Sequence, residues 1–227
     1  MKALVTFDIE NYVLYAPARA SMEAAAERWG FDFIVITEPL YDCRVWYQKL
    51  LLPEHLAQYD RLLVLDGDMV IRKDCPCPDN FVVNNRTAYV SIHQPGRARL
   101  WPMQVQQLKL LSELTERKLW RTYIPMMNGG FQLYSPSDVA EAYQLAFELL
   151  DQQGLPAHND WNGDQGILTL LMQTGELSHI QWLPEDFDCI ATSICPFSHW
   201  IMHAHGGSWI SKTSRMDYWA EHEDDNL

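Results

Sequence analysis

Residues Leu62-Leu63-Val64-Leu65 form a continuous aliphatic run that ends on Asp66-Gly67-Asp68. A strand with one face in water alternates polar and apolar residues. A strand without alternation has to be covered on both faces. That restricts the chain to folds with helices packed on both sides of a sheet, and it sets two carboxylates at the carboxyl end of a central strand. The start of the chain fits the same plan. Ala3-Leu4-Val5-Thr6-Phe7 reads as a first strand. Residues Ala18 to Trp29 have helical composition, follow Pro17 and stop at Gly30. Phe33-Ile34-Val35-Ile36 then reads as a second strand. Strand, helix and strand at this spacing predict a βαβ unit with parallel pairing.

Further along, Tyr47 to Tyr59 reads as helical with Pro53 near a start or a break, and Ala88 to Ile92 as a strand. Gln104 to Trp120 is a polar-rich helical stretch expected on the surface. Phe131-Gln132-Leu133-Tyr134 is a strand by alternation. Asp138 to Leu150 is a helix with Ser135 or Ser137 as its cap, Asp164 to Met172 is another helix, and Ile201-Met202 is a strand end. No internal repeat and no interdomain linker interrupts the 227 residues, so residues 1–227 are expected to form one α/β domain.

The formal net charge of -13 excludes a general basic face. Nucleic acid is therefore not an expected partner. An acidic protein still binds an anionic nucleotide if a cation bridges the two, so a divalent ion is something to look for. Five cysteines, at 43, 75, 77, 189 and 195, are an odd set rather than a disulfide framework and point to a reducing compartment. The residues from Met1 to Phe7 lack a signal-peptide core, and no apolar run approaches the ~18 residues of a membrane span. A cytoplasmic location and no transmembrane segment are the expectation. Nothing in the sequence fixes the oligomeric state.

Four groups of residues carry chemistry. Asp66 and Asp68 lie where ligands bind in α/β sheets, outside the carboxyl ends of the strands. If the chain stays extended, the period of two turns both to one side, and Gly67 lets a backbone or a phosphate approach. Two hard oxygen ligands suit Mg²⁺ or Mn²⁺. The triplet alone is weak evidence, since Asp186-Phe187-Asp188 repeats it. His203-Ala204-His205-Gly206-Gly207 offers imidazole for a borderline ion and glycines for a phosphate, or else two ordinary loop histidines. Asn128-Gly129-Gly130 is either a turn or a place where backbone comes close to a sugar, with the Asn128 amide on its hydroxyls. Asp164-Gln165 is either a helix cap or a carboxylate and amide at the reaction face. A zinc site joining Cys75 and Cys77 to His203 and His205 fits neither of the usual close spacings.

The order of these groups resembles a glycosyltransferase of the GT-A fold, and in particular family 8, the retaining galactosyl- and glucosyltransferases that include glycogenin-like proteins. The resemblance runs from about Ala3 to Trp209. Val5-Thr6-Phe7-Asp8-Ile9-Glu10-Asn11-Tyr12 is similar to the family's first strand and base-binding segment, which implies donor contacts for Thr6, Phe7, Asp8, Asn11 and Tyr12, with Tyr12 as the ring on the base. Tyr47-Gln48-Lys49-Leu50 resembles the family's basic residue, which implies that Lys49 meets the donor's phosphates or sugar. Residues Tyr59 to Ile71 resemble the family's strand and Asp-x-Asp signature, and within it Asp66 and Gly67 border the donor. Asn128-Gly129-Gly130 resembles the segment on the donor sugar. Asp164-Gln165 resembles the Asp-Gln pair near the anomeric carbon. His203-Ala204-His205-Gly206 resembles His-x-x-Gly, whose histidine completes the metal site with Asp66 and Asp68, with His205 as the reserve ligand.

The resemblance thus implies an α/β fold with a mostly parallel twisted sheet, Mn²⁺ or Mg²⁺, and a nucleotide-diphosphate sugar, in the first place a UDP-sugar. It also implies hexosyl transfer with retention to a carbohydrate, lipid or protein hydroxyl. The chain departs from the family at three places. Lys212 is displaced from the usual lysine on the pyrophosphate, Gly166 stands where an acidic residue is common, and the C-terminal part is short. A sugar-phosphate nucleotidyltransferase would need a glycine-rich loop after the first strand, and residues Phe7 to Ala18 contain no glycine. A binding protein that keeps the fold without turnover, and a self-glycosylating primer, are the remaining alternatives. Residues 94–123, with Arg97, Arg99, Trp101 and Trp120, are expected to frame the acceptor side.

Overall fold

The computed structural model describes residues 1–9, 13–91, 102–118, 126–152, 163–184, 187, 189–190, 200–204, 214 and 216–218. The chain opens with β1 (Lys2–Phe7), α1 (Ala16–Trp29) and β2 (Asp32–Ile36), with β2 parallel to β1. Pro17 sits in the first turn of α1, where its missing N–H costs nothing. Gly30 ends the helix at φ 69°, its N–H donating to Glu27 O and that of Phe31 to Ala26 O. These two bonds make a Schellman cap.

Next come the short helices α2 (Val45–Gln48) and α3 (Leu52–His55), joined by a 3₁₀ turn at Lys49–Leu51. Pro53 stands at the start of α3, as the reading of a helical stretch over Tyr47 to Tyr59 with a start or break at Pro53 allowed, because proline is tolerated only in a first turn. β3 (Arg61–Leu65) pairs parallel with β1 and is buried along its whole length. β4 (Met69–Ile71), β5 (Thr87–Ser91) and α4 (Pro102–Leu114) follow. Then come β6 (Met127–Tyr134), α5 (Pro136–Gln152), α6 (Gly163–Thr174), β7 (Ile180–Trp182), β8 (Cys189–Ile190) and β9 (Ile201–His203).

The main sheet has the order β2-β1-β3-β6-β5-β7. All its strands point one way except β6, which runs antiparallel to both β3 and β5. A second sheet has the order β4-β9-β8. The two faces of the main sheet are sorted by the period of two. Leu4, Leu63 and Leu65 pack with Ala18, Met22 and Ala25 of α1 and with Met69, Ile71 and Met202 of the small sheet. Val5, Leu62 and Val64 pack on the other face with Leu50, Leu52, Tyr143, Leu168 and Leu171. The unbroken aliphatic run is therefore covered on both sides, as expected.

Two expectations need correction. The stretch expected on the surface from Gln104 to Trp120 is a helix only to Leu114, and Leu108 and Leu111 on one side of it are buried against the helical layer. β6 is also longer than its apparent alternation, and every residue from Met127 to Tyr134 is buried. Gln132 is fully enclosed as well, because α5 covers its face of β6 and Tyr143 bonds to it there. Among the described residues no helix is long and apolar enough to cross a membrane, and Cys43, Cys75 and Cys77 are free thiols.

Candidate active site

β3 delivers Asp66 at its carboxyl end, where the Asp66 N–H donates to Gly130 O at 2.9 Å. The chain turns at Gly67 and Asp68 instead of staying extended. The turn passes so close to the segment before α1 that a Cβ on Gly67 would lie 3.0 Å from Val13 O and 3.1 Å from Leu14 Cα. Despite the turn the two carboxylates meet a common partner. Met69 pairs with His203 across the antiparallel β4–β9 ladder, and Ala204 N–H donates to Asp68 O at 3.0 Å. His203 Nε2 then lies 3.2 Å from Asp68 Oδ1 and 3.9 Å from Asp66 Oδ2.

One ligand atom from each of Asp66, Asp68 and His203 falls within 4.8 Å of the others. Two carboxylate oxygens and an imidazole nitrogen form a donor set compatible with a divalent metal ion. The ring is oriented from behind. Asn128 Nδ2 lies 3.3 Å from His203 Nδ1, and Asn128 Oδ1 accepts from Gly130 N–H at 2.9 Å. A histidine that ligates through Nε2 keeps its proton on Nδ1 and donates it to an acceptor. Metal binding therefore calls for the Asn128 oxygen at this contact, whereas the amide nitrogen there pairs with the other tautomer. The Asn128 amide is thus buried against the histidine.

A bulge in β6 shapes the neighbouring wall. Tyr89 of β5 pairs with Gln132 and Ser91 with Met127, so the single residue Val90 stands opposite the four residues 128–131. Consecutive residues of a strand face opposite sides, so the two glycines look different ways. A Cβ on Gly129 would lie 2.8 Å from Asp164 Oδ2, and one on Gly130 would lie 2.7 Å from Asp66 Oδ2 and 2.9 Å from His203 Cε1. Only glycine leaves room for carboxylates on both sides of this strand.

Lys49, from the 3₁₀ turn, joins the two sides. Its ammonium donates to Asp66 Oδ1 and to Gly129 O, the latter at 2.9 Å, and lies 3.7 Å from Asp164 Oδ2. Burial works against its charge, but Asp66, Asp164 and Asp68 outweigh it and hold the lysine above its ordinary pKa. Burial also works against the Asp66 charge, and there Lys49 prevails, so that carboxyl is held below the carboxylate range. Asp164 stands the other way. Burial pushes it up and the Asp66 charge adds to that, while Lys49 and the backbone N–H groups of its helical turn only partly oppose them. Asp164 and Gln165 occupy the first turn of α6, and Gln165 Oε1 accepts from Gly129 N–H at 3.2 Å.

Of the residues that the sequence and the resemblance assigned to a site, the structure brings Lys49, Asp66, Gly67, Asp68, Asn128, Gly129, Gly130, Asp164, Gln165 and His203 together. Thr6 and Phe7 are fully buried. Phe7 belongs to the core on the helical face, and the Thr6 hydroxyl has no hydrogen-bond partner among the described residues. Asp8 is half-buried and accepts from Leu14 N–H at 3.2 Å. Asn11, Tyr12, His205, Gly206 and Lys212 lie outside the described residues, as do Arg97, Arg99, Trp101 and Trp120. Gln132 and Tyr143 went unnoticed in the sequence. Gln132 Nε2 donates to Gly129 O at 2.9 Å and to Asp164 Oδ2 at 3.2 Å, and Tyr143 donates to Gln132 Oε1 at 2.9 Å. The one available signal was an amide set between the apolar residues Phe131 and Leu133.

A separate cavity of about 400 Å³ opens at the opposite end of β1, lined by Lys2, Arg28, Trp29, Phe31, Cys75 and Cys77 among others. Its polar groups are already engaged: Lys2 with Asp79, Arg28 with Arg72 O, and Trp29 Nε1 with Cys75 O. It is remote from the carboxylates and does not belong to the site.

No protein-family model matches the chain, and no curated protein matches it by sequence. Solved structures do match. A glycosyltransferase involved in glycosylation of the major capsid of PBCV-1 aligns over 96% of this chain and 98% of its own, with a TM-score of 0.62 and 12% identity. The galactosyltransferase LgtC, in complex with donor and acceptor sugar analogs, aligns over 97% and 95%, with a TM-score of 0.55 and 16% identity. The glycosyltransferase GlyE of Streptococcus pneumoniae aligns over 96% of this chain and 63% of its own, with a TM-score of 0.52 and 13% identity. At these identities the likeness is one of architecture, and it spans nearly the whole chain: this protein has the α/β GT-A fold found in glycosyltransferases.

Proposed function

We propose that this chain is a metal-dependent glycosyltransferase that moves a hexose from a nucleotide-diphosphate sugar, in the first place a UDP-sugar, to an acceptor hydroxyl with retention of configuration. The observation that carries the reading is the meeting of Asp66, Asp68 and His203 within 4.8 Å at the carboxyl end of a central strand, one strand away from the Asp164–Gln165 turn. Asp66, Asp68 and His203 would hold Mn²⁺ or Mg²⁺. A bound divalent ion stabilises negative charge on the departing diphosphate as a Lewis acid.

The protein's own groups do the rest. Lys49 exchanges one of its present partners for a donor oxygen and balances the surrounding carboxylates. Gly129 and Gly130 let Asp164, Asp66 and His203 stand together against the strand that borders the donor sugar in this reading. Asp164 and Gln165 face the acceptor side, where the Gln165 amide and the Asp164 carboxyl orient the attacking hydroxyl. In this reading the acceptor attacks on the face from which the diphosphate leaves, without a covalent intermediate. Asn11, Tyr12, Gly206 and Lys212 complete the donor site in this reading, with His205 as the reserve metal ligand.

The test is donor turnover. The protein is incubated with a panel of UDP- and GDP-sugars, with Mn²⁺ or with EDTA, and released nucleotide is detected. Release from one donor, lost in EDTA and lost in Asp66→Asn and Asp68→Asn, is the expected result. No release from any donor, with no metal-dependent binding of UDP or GDP, overturns the reading.

A further inference from the structure

Behind Asp164 a line of polar groups runs through the core. Tyr89 of β5 and Tyr143 of α5 have their hydroxyls 2.9 Å apart, and the Tyr143 hydroxyl is 2.9 Å from Gln132 Oε1. Gln132 Nε2 is 2.9 Å from Gly129 O and 3.2 Å from Asp164 Oδ2. Tyr89, Gln132 and Tyr143 are fully buried and Asp164 is 3% exposed.

The direction of every bond is determined. Gln132 Oε1 can only accept, so Tyr143 donates to it. Tyr143 has then spent its single hydrogen, so Tyr89 donates to Tyr143. With its carbonyl end fixed in this way, the Gln132 amide must present both N–H groups to the other side. One meets Gly129 O and the other meets Asp164. The amide cannot flip without setting its oxygen against Gly129 O and the Asp164 carboxylate, which are themselves acceptors.

The surrounding layer is apolar: Val64, Leu62, Val139, Ala146 and Leu168 belong to the same cluster. Leucine and phenylalanine would fill such a space without the desolvation cost of two phenols and an amide. A fully satisfied polar chain in a low-dielectric core instead fixes one arrangement of its members. Here the chain ends on a carboxylate in the site and on the backbone of the glycine facing it. Tyr134, which packs on Tyr143 with ring centroids 5.1 Å apart, has a buried hydroxyl with no partner among the described residues. It lies in the same layer but outside the chain of bonds.

We propose that Gln132, oriented by Tyr143 and Tyr89, is a positioning residue that fixes the Asp164 carboxylate and the Gly129 carbonyl for the acceptor side of the reaction. The proposal rests on the glycosyltransferase reading of the same site. Gln132→Met keeps length and volume but removes both donors. Tyr143→Phe keeps the ring and removes the group that orients the amide. Tyr134→Phe removes a hydroxyl outside the chain and serves as the packing control.

Calorimetric binding of Mn²⁺ and UDP, thermal midpoint, and kcat and KM for the accepted donor are measured for each. Gln132→Met is expected to keep Mn²⁺ and UDP binding and donor KM, with kcat reduced on the order of a hundredfold, as for a reacting group misplaced by about 1 Å. Tyr143→Phe falls in the same direction by less, and Tyr134→Phe keeps the wild-type kcat. Unchanged kcat in Gln132→Met, or a loss that appears equally in Tyr134→Phe or in cation binding, overturns the proposal. If the wild-type protein turns over no donor, the functional reading fails first, and a crystal structure of Gln132→Met decides the positioning role by itself. An Asp164 carboxylate turned away from its present place supports that role, and an unmoved one ends it.

Discussion

At the scale of single residues, the site depends on what is missing from Gly130. A methyl group there would lie 2.7 Å from Asp66 Oδ2, 2.9 Å from His203 Cε1 and 2.9 Å from Met69 Cε. Real Cβ contacts do not occur at such distances, so Asp66 and His203 have to separate. Gly130→Ala is expected to weaken Mn²⁺ binding by about tenfold or more, the range seen when groups that orient metal ligands are disturbed, while the far-ultraviolet circular dichroism stays that of the wild type. Wild-type affinity in a calorimetric titration would show that the ion is held elsewhere. Asp66 and Asp68 stood out in the sequence because they end an aliphatic strand, whereas His203 was singled out only by the resemblance to His-x-x-Gly, the residues alone leaving two ordinary loop histidines. The roles of Gln132 and Tyr143 were not legible. An amide in a strand and a tyrosine in an amphipathic helix carry no local mark of their partners, which come from three separate elements.

At the scale of elements, helix and strand positions followed from local physics where the signal was complete within one segment. The α1 cap is an example. Gly30 adopts φ 69° and leaves its N–H and that of Phe31 on the last carbonyls. Gly30→Ala puts a Cβ into the left-handed region and is expected to cost about 1 kcal/mol. That lowers the thermal midpoint of a chain this size by about 2–4 °C, and a calorimetric scan showing no change would mean that the cap relaxes freely. β3 was legible for the same reason, since a run without alternation is itself the statement that both faces are covered. The bulge of β6 was not. Its register depends on which residues of β5 stand opposite, and nothing near Asn128-Gly129-Gly130 in the chain encodes Tyr89 or Ser91. β4 and β9 are three residues each, too short for any periodicity to show.

At the scale of the whole molecule, the two ends of the parallel strands carry opposite kinds of ion pairing. At the amino ends Asp79 binds Lys2 Nζ at 2.6 Å and Arg61 Nε at 2.8 Å. Burial raises the Asp79 carboxyl, but its bond to Lys2 and the pull of Arg61 outweigh that and leave it below the usual carboxylate value. A carboxyl depressed in the folded state contributes stability that is complete above its unfolded pKa, about 3.9 for aspartate, and is lost as pH falls through the folded value. Asp79→Asn is therefore expected to lower the thermal midpoint at pH 7, by an amount equivalent to about 2 kcal/mol for charge-assisted bonds. The difference from wild type should close as both are taken below pH ~4. A difference that persists in acid would assign the loss to packing. At the carboxyl ends the acidic groups face one another across two sheets. The main sheet supplies Asp66, the turn supplies Asp68, and the small sheet supplies His203. An ion shared by all three fastens the small sheet to the large one, and its binding energy becomes resistance to their parting, by about 2.7 kcal/mol at a free ion concentration a hundred times the dissociation constant. Amide hydrogens of Val70 and Met202 should then exchange with solvent at rates set by the free manganese concentration, while those of β1 should not respond.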